Sequence, residues 1–179
     1  MLNSELKYQN FSLNYKILIK NLVEIRRFMI KNKKTLSVAE SCSGGYLSYL
    51  FTYLPNSSYY FKGSVITYTN EIKKEILHID ENIIRHYGAI SKEVSVEMAN
   101  KVLKKFSTDY GISVTGNLGP IPSENKQIGI IFLTIYSKDN VVTKKFNIKG
   151  NREEIRKKLV YNTIYLFNKL LKEEFKEFD

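Results

Sequence analysis

Thr35-Leu36-Ser37-Val38-Ala39-Glu40-Ser41-Cys42-Ser43-Gly44-Gly45 passes from a short apolar run suited to a buried strand into a turn of small residues. A helix is expected next, from Gly44 to Leu54, stopped by Pro55-Asn56. A strand joined to a helix through such a turn is a building unit of layered α/β domains, and it presents a side chain where a ligand can reach it.

The same alternation continues on both sides. Upstream, Ile17, Leu18, Leu22, Ile25, Phe28 and Met29 recur at helical spacing between Tyr15 and Asn32. Downstream, Tyr59 to Thr69 reads as a strand, Glu71 to Leu77 and Glu81 to His86 as short helices, and Ser91 to Phe106 as a longer one, with Val94, Met98, Val102 and Phe106 on one face. Strands are expected at Tyr110 to Val114, Gly129 to Tyr136 and Val141 to Ile148, the last two joined by a turn at Ser137 to Asn140. Asn151 to Phe175 closes the chain as a long helix with Glu153 and Glu154 in its first turn, where acidic groups favour the helix dipole. The reading is an α/β domain, a mixed sheet covered by helices, over residues 15–179, behind an arm of residues 1–14 that has no clear period.

At 179 residues the chain can bury a core without disulfides or metals, and its lone cysteine, Cys42, makes no internal bridge. No signal peptide is read, and apolar runs such as Gly129 to Tyr136 are too short to cross a bilayer, so a cytoplasmic protein without membrane attachment is expected. The net charge of +10 comes from lysines scattered among glutamates, with no recognisable nucleic-acid module. That pattern fits solvated helix faces, and no specific nucleic-acid partner is expected. Such a field also attracts small anionic substrates.

Three segments hold candidate chemistry. Ser41 precedes a helix start among Ser43, Gly44 and Gly45, whose unpaired N–H groups suit an oxyanion or phosphate; the plainer alternative is that Ser41 or Ser43 caps the helix. Tyr68-Thr69-Asn70-Glu71-Ile72-Lys73 brings a tyrosine and a lysine to a strand-to-helix turn. A lysine kept neutral by burial can act as base for a serine hydroxyl, although one lysine in a lysine-rich chain, taken alone, is more often a surface group than a catalytic one. Thr115-Gly116 ends a strand and opens the loop Asn117-Leu118-Gly119-Pro120-Ile121-Pro122, so it can border a crevice at the strand ends. His78 and His86 make neither a metal pattern nor a triad, and no dinucleotide or P-loop fingerprint is present.

Taken jointly, Ala39 to Gly45, Tyr68 to Lys73, Tyr87-Gly88-Ala89-Ile90-Ser91, Val114-Thr115-Gly116 with Gly119-Pro120, and Gly150-Asn151-Arg152-Glu153-Glu154-Ile155-Arg156 resemble the CinA C-terminal domain family of nicotinamide mononucleotide amidohydrolases. The resemblance runs from about Lys33 to the C-terminus in the family's order. It implies an α/β/α sandwich that hydrolyses the carboxamide of nicotinamide mononucleotide to nicotinate mononucleotide and ammonia, with no metal or organic cofactor. Carried onto this chain, it implies Ser41 as nucleophile, Lys73 as proton acceptor and Tyr68 as the group that relays or positions the proton. Ser43, Gly44, Gly45, Ser58, Thr115, Gly116 and Arg152 are the implied substrate-binding positions. A homodimer is implied as well, and the short stretch before Thr35 resembles the stand-alone form of the family. The 117–125 loop departs from the glycine-rich pattern usual there. A member that binds a nucleotide or protein partner without turnover is the alternative.

Overall fold

The computed structural model describes residues 15–175, so the arm read at residues 1–14 lies outside the described residues. The elements are α1 (Tyr15–Lys31), β1 (Leu36–Glu40), α2 (Tyr46–Thr52), β2 (Phe61–Ile66), α3 (Asn70–Leu77), α4 (Glu81–Tyr87), α5 (Lys92–Phe106), β3 (Tyr110–Gly116), β4 (Ile130–Ser137), β5 (Val141–Asn147) and α6 (Arg152–Phe175). The five strands form one mixed sheet in the order β2-β1-β3-β4-β5. β1 runs parallel to both β2 and β3, which are reached through helical connections, while β4 is added antiparallel through the long 117–129 loop and β5 antiparallel through a tight turn over residues 138–140. The α/β class and the mixed sheet expected from the alternation are what the chain adopts.

Helices cover both faces. Strand alternation sends Leu36 and Val38 into the larger core, under α1, α2 and α6, and Ala39 into the smaller one, under α3, α4 and α5. In α1, Leu18, Leu22, Ile25 and Met29 make the buried stripe, whereas Ile17, from the same apolar set, is 44% exposed. In α5, Val94, Met98 and Val102 are buried as their spacing requires, and Ser91 caps the helix by accepting from the Val94 amide at 3.2 Å.

α5 lies close to the sheet because the strands beneath it carry small residues. A Cβ on Gly111 of β3 would stand 2.2 Å from the Ala99 carbonyl oxygen. Ser95 of α5 meets Ser113 of β3 at 3.0 Å and Thr134 of β4 at 2.8 Å, and Thr134 meets Thr143 of β5 at 3.0 Å. These hydroxyls satisfy one another inside the layer, so their burial costs little.

The helix after β1 and the strand after it differ at their ends from the sequence expectation. The helix expected from Gly44 begins at Tyr46, because Gly44 and Gly45 have φ of 64° and 97°, outside the right-handed helical region. The strand expected over Tyr59 to Thr69 is confined to Phe61–Ile66; residues 57–59 form a 3-10 turn after Asn56, whose φ is 68°. At its other end the chain leaves the sheet after the Thr67 amide donates to the Glu40 carbonyl at 2.7 Å, and Thr69 then caps α3. Among the described residues no helix is long and apolar enough to cross a membrane.

Candidate active site

β1 sits between β2 and β3, so the chain leaves β1 toward one side and returns to the other. The carboxyl end of β1 is therefore a topological switch point, where the connections diverge and leave a crevice. A cavity of about 420 Å³ occupies it, within the size range of small-molecule sites. Ser41 follows β1, Tyr68 and Lys73 follow β2, Thr115 and Gly116 end β3, and Arg152 opens α6; all six line this cavity.

The Lys73 Nζ lies 3.4 Å from the Ser41 Oγ and donates to the Thr67 carbonyl at 2.9 Å. Lys73 is only 2% exposed, so the surface alternative for this lysine does not hold. Burial pushes its ammonium below the ordinary lysine range, against the opposing pull of Glu124 and Glu71. Ser41 is also buried, and its amide donates to the Val114 carbonyl at 3.0 Å, which ties the residue to β3. Cys42 lines the same cavity, but burial pushes its thiol up to about 12, so it stays protonated near neutral pH.

Arg152 stands at the first position of α6 because the Asn151 Oδ1 accepts from the Glu153 and Glu154 amides, each at 3.0 Å. From there its guanidinium reaches across the cavity mouth, donating to the Gly119 carbonyl and, at 2.7 Å, to the Tyr68 hydroxyl oxygen. That bond leaves the Tyr68 O–H free to donate to a ligand. The Thr115 hydroxyl donates to the Ala89 carbonyl at 2.8 Å.

Ser43, Gly44, Gly45 and Ser58 are not brought to the cavity. Ser43 is 1% exposed with its Oγ turned into the protein, where it has no hydrogen-bond partner among the described residues. Ser58 is exposed on the 3-10 turn. The amides at the start of α2 serve a buried carboxylate: Glu40 accepts from Gly45 at 2.9 Å, Leu47 at 3.2 Å and Ser48 at 2.8 Å, and from the Ser48 hydroxyl. Neither serine caps this helix; Glu40 does. Sequence reasoning passed over Glu40, although a carboxylate ending a five-residue strand that is buried throughout must find donors nearby. It placed the 117–125 loop beside the crevice but gave no role to Glu124 or Asn117, both on the cavity wall. Asn117 holds its loop by accepting from the Gly119 amide and donating to the Lys126 carbonyl. No group of His, Cys, Asp and Glu among the described residues is arranged to hold a metal ion.

The family model of the CinA C-terminal domain matches residues 20–171. A CinA-like protein of Endomicrobium trichonymphae is 42% identical over 146 residues, covering 81% of this chain and 34% of that protein. A CinA-like protein of Thermosipho melanesiensis is 38% identical over 141 residues, covering 77% of this chain and 35% of that one. The chain thus spans about a third of the length of these curated relatives. Among solved structures, the competence damage-inducible protein A of Klebsiella pneumoniae superposes with a TM-score of 0.84 at 23% identity, over 87% of this chain and 97% of that one, a likeness of fold.

Proposed function

The chain belongs to the CinA C-terminal domain family, and from that premise we propose that it hydrolyses the carboxamide of nicotinamide mononucleotide, giving nicotinate mononucleotide and ammonia by serine–lysine chemistry. The observation that carries the reading is the buried Lys73 amine 3.4 Å from the Ser41 hydroxyl on the wall of a cavity at the switch point.

The amine, neutral when it acts, keeps one N–H on the Thr67 carbonyl and turns its lone pair toward the Ser41 hydroxyl. Lys73 takes the proton as the Ser41 oxygen bonds to the carboxamide carbon. The oxyanion needs donors, and Gly45, Leu47 and Ser48 are committed to Glu40; the amide of Cys42, which follows the nucleophile and lines the cavity, is left for this task. The carbon–nitrogen bond then breaks, and the proton held by Lys73 passes to the departing nitrogen, directly or through Tyr68. Water, deprotonated by the same lysine, attacks the acyl carbon; the bond from that carbon to the Ser41 oxygen breaks, Lys73 returns the proton to that oxygen, and the carboxylate leaves. Arg152 and the Tyr68 hydroxyl offer the polar contacts for the phosphate, while the Thr115 oxygen, whose O–H is given to the Ala89 carbonyl, is left to accept from a ribose hydroxyl. The scheme uses no metal or organic cofactor, and the partner it requires is the small nucleotide itself.

The test is ammonia and nicotinate mononucleotide formation by the purified protein beside its Ser41→Ala variant. Turnover by the parent that falls at least ~1,000-fold in the variant is expected, since the nucleophile has no substitute. Equal turnover by both proteins removes the serine mechanism, and silence from both, with the nucleotide still bound, favours a binding-only member.

A further inference from the structure

One wall of the cavity is the turn over residues 87–91, which contributes Ala89 and Ile90. Its backbone is held largely by side chains that arrive from far along the chain. The Glu124 carboxylate accepts from the Ala89 amide with one oxygen and the Ile90 amide with the other, both at 3.0 Å. The Lys126 amine donates to the Ile90 carbonyl at 2.5 Å and the Tyr87 carbonyl at 3.3 Å. Thr115 takes the Ala89 carbonyl from the sheet side, and Ser91 takes that of Gly88 at 2.7 Å. Donors are thus met by an acidic group and acceptors by a basic one, two residues apart on the 117–129 loop.

Two backbone features show that this grip has a conformational cost. Ser123 and Lys126 pair across a turn whose central residues, Glu124 and Asn125, have φ of 54° and 55°. Glycine, asparagine or aspartate is the ordinary occupant of such a first position, and a glutamate there is strained. Gly88 has φ of 79°, and a Cβ on it would lie 2.7 Å from the Glu124 Oε2, so the turn approaches the carboxylate as closely as a missing side chain permits. Glutamate is the shortest ionised side chain with the extra methylene that spans this gap, whereas the residues the turn prefers are shorter.

We propose that Glu124 is a positioning residue that, with Lys126, clamps residues 87–91 against the 117–129 loop and so sets the shape of the substrate cavity. The link to substrate rests on the hydrolase reading above. The clamp acts through Ala89 and Ile90; Glu124 gives and takes no proton, and the pull of its charge on the Lys73 ammonium is removed from the comparison by measuring the kinetics at pH values above the lysine inflection.

The experiment combines amide hydrogen exchange by NMR with steady-state kinetics on nicotinamide mononucleotide, for the parent protein, Glu124→Ala, Glu124→Gln and Gly88→Ala. In Glu124→Ala, exchange at Ala89 and Ile90 is expected to accelerate by at least ~10-fold while the amides of β1 and β3 keep their parent rates, in line with the loss of charge-assisted hydrogen bonds. KM rises about 10-fold with kcat within about 3-fold of the parent, the signature of lost binding geometry. Glu124→Gln, which retains one acceptor oxygen, falls between, and Gly88→Ala behaves like Glu124→Ala. Unchanged exchange at both amides overturns the clamp, whether or not the nucleotide is hydrolysed. A kcat as low as that of Ser41→Ala with KM unchanged overturns the positioning role. If the parent does not turn over the nucleotide, the hydrolase reading fails by itself, and the exchange rates still decide the clamp.

Discussion

Lys73 holds an amine where water hardly reaches, and the proposed chemistry and the fold both favour its neutral form. As the base it must be neutral, so kcat/KM is expected to climb with pH and level off once pH passes the lowered Lys73 value, with the inflection below the ordinary lysine value of about 10.4. Stability moves in the same direction: the unfolded chain binds the proton more tightly than the fold does, so the fold gains stability as pH rises toward the unfolded lysine value and carries the full cost below the folded one. Lys73→Met should abolish turnover and raise the melting temperature near neutral pH by about 2–4 °C. A variant that melts lower than the parent would mean that the bond to the Thr67 carbonyl outweighs the desolvation. Ser41, Tyr68 and Lys73 were legible in the sequence because each lies in a short segment with its own local pattern. Glu124 and Lys126 were not, since their partners lie more than thirty residues away.

Among the elements, α2 and α5 are held by devices that alternation alone does not reveal. The start of α2 depends on Glu40, whose carboxylate replaces the usual serine or threonine cap while fully buried. Glu40→Ala leaves those amides without an acceptor and should cost about 2–4 kcal/mol in urea unfolding; a cost under ~1 kcal/mol would show that water or Ser43 takes over. The seat of α5 depends on Gly111, whose φ is ordinary and whose lack of a side chain serves the close approach to Ala99 and Leu103. Gly111→Ala must push helix and sheet apart and is expected to cost about 1–3 kcal/mol by the same measurement, whereas an unchanged midpoint would mean that α5 slides without loss. The apolar spacing that marks α5 in the sequence states which face is buried. It does not state how deep, because depth is set by the small residues on other strands.

Over the whole molecule, the net charge of +10 surrounds a cavity proposed to take an anionic nucleotide. Steering by that field is screened by salt, so KM for nicotinamide mononucleotide should rise several-fold between about 20 and 500 mM salt while kcat stays level. A KM that ignores salt would leave Arg152 and the Tyr68 hydroxyl as the whole of the phosphate recognition. The linear pattern by itself determined the class of fold, the order of its elements, and the segments that carry the serine, tyrosine and lysine, because periodicity, turn residues and apolar runs are local properties of a chain. Only the tertiary structure decided that Lys73 is buried against Ser41, that the amides of Gly45, Leu47 and Ser48 answer Glu40, and that Ser43 and Ser58 point away from the cavity. Those outcomes depend on strand order and on the positive-φ backbone at Gly44 and Gly45, which bring together groups that no local spacing relates.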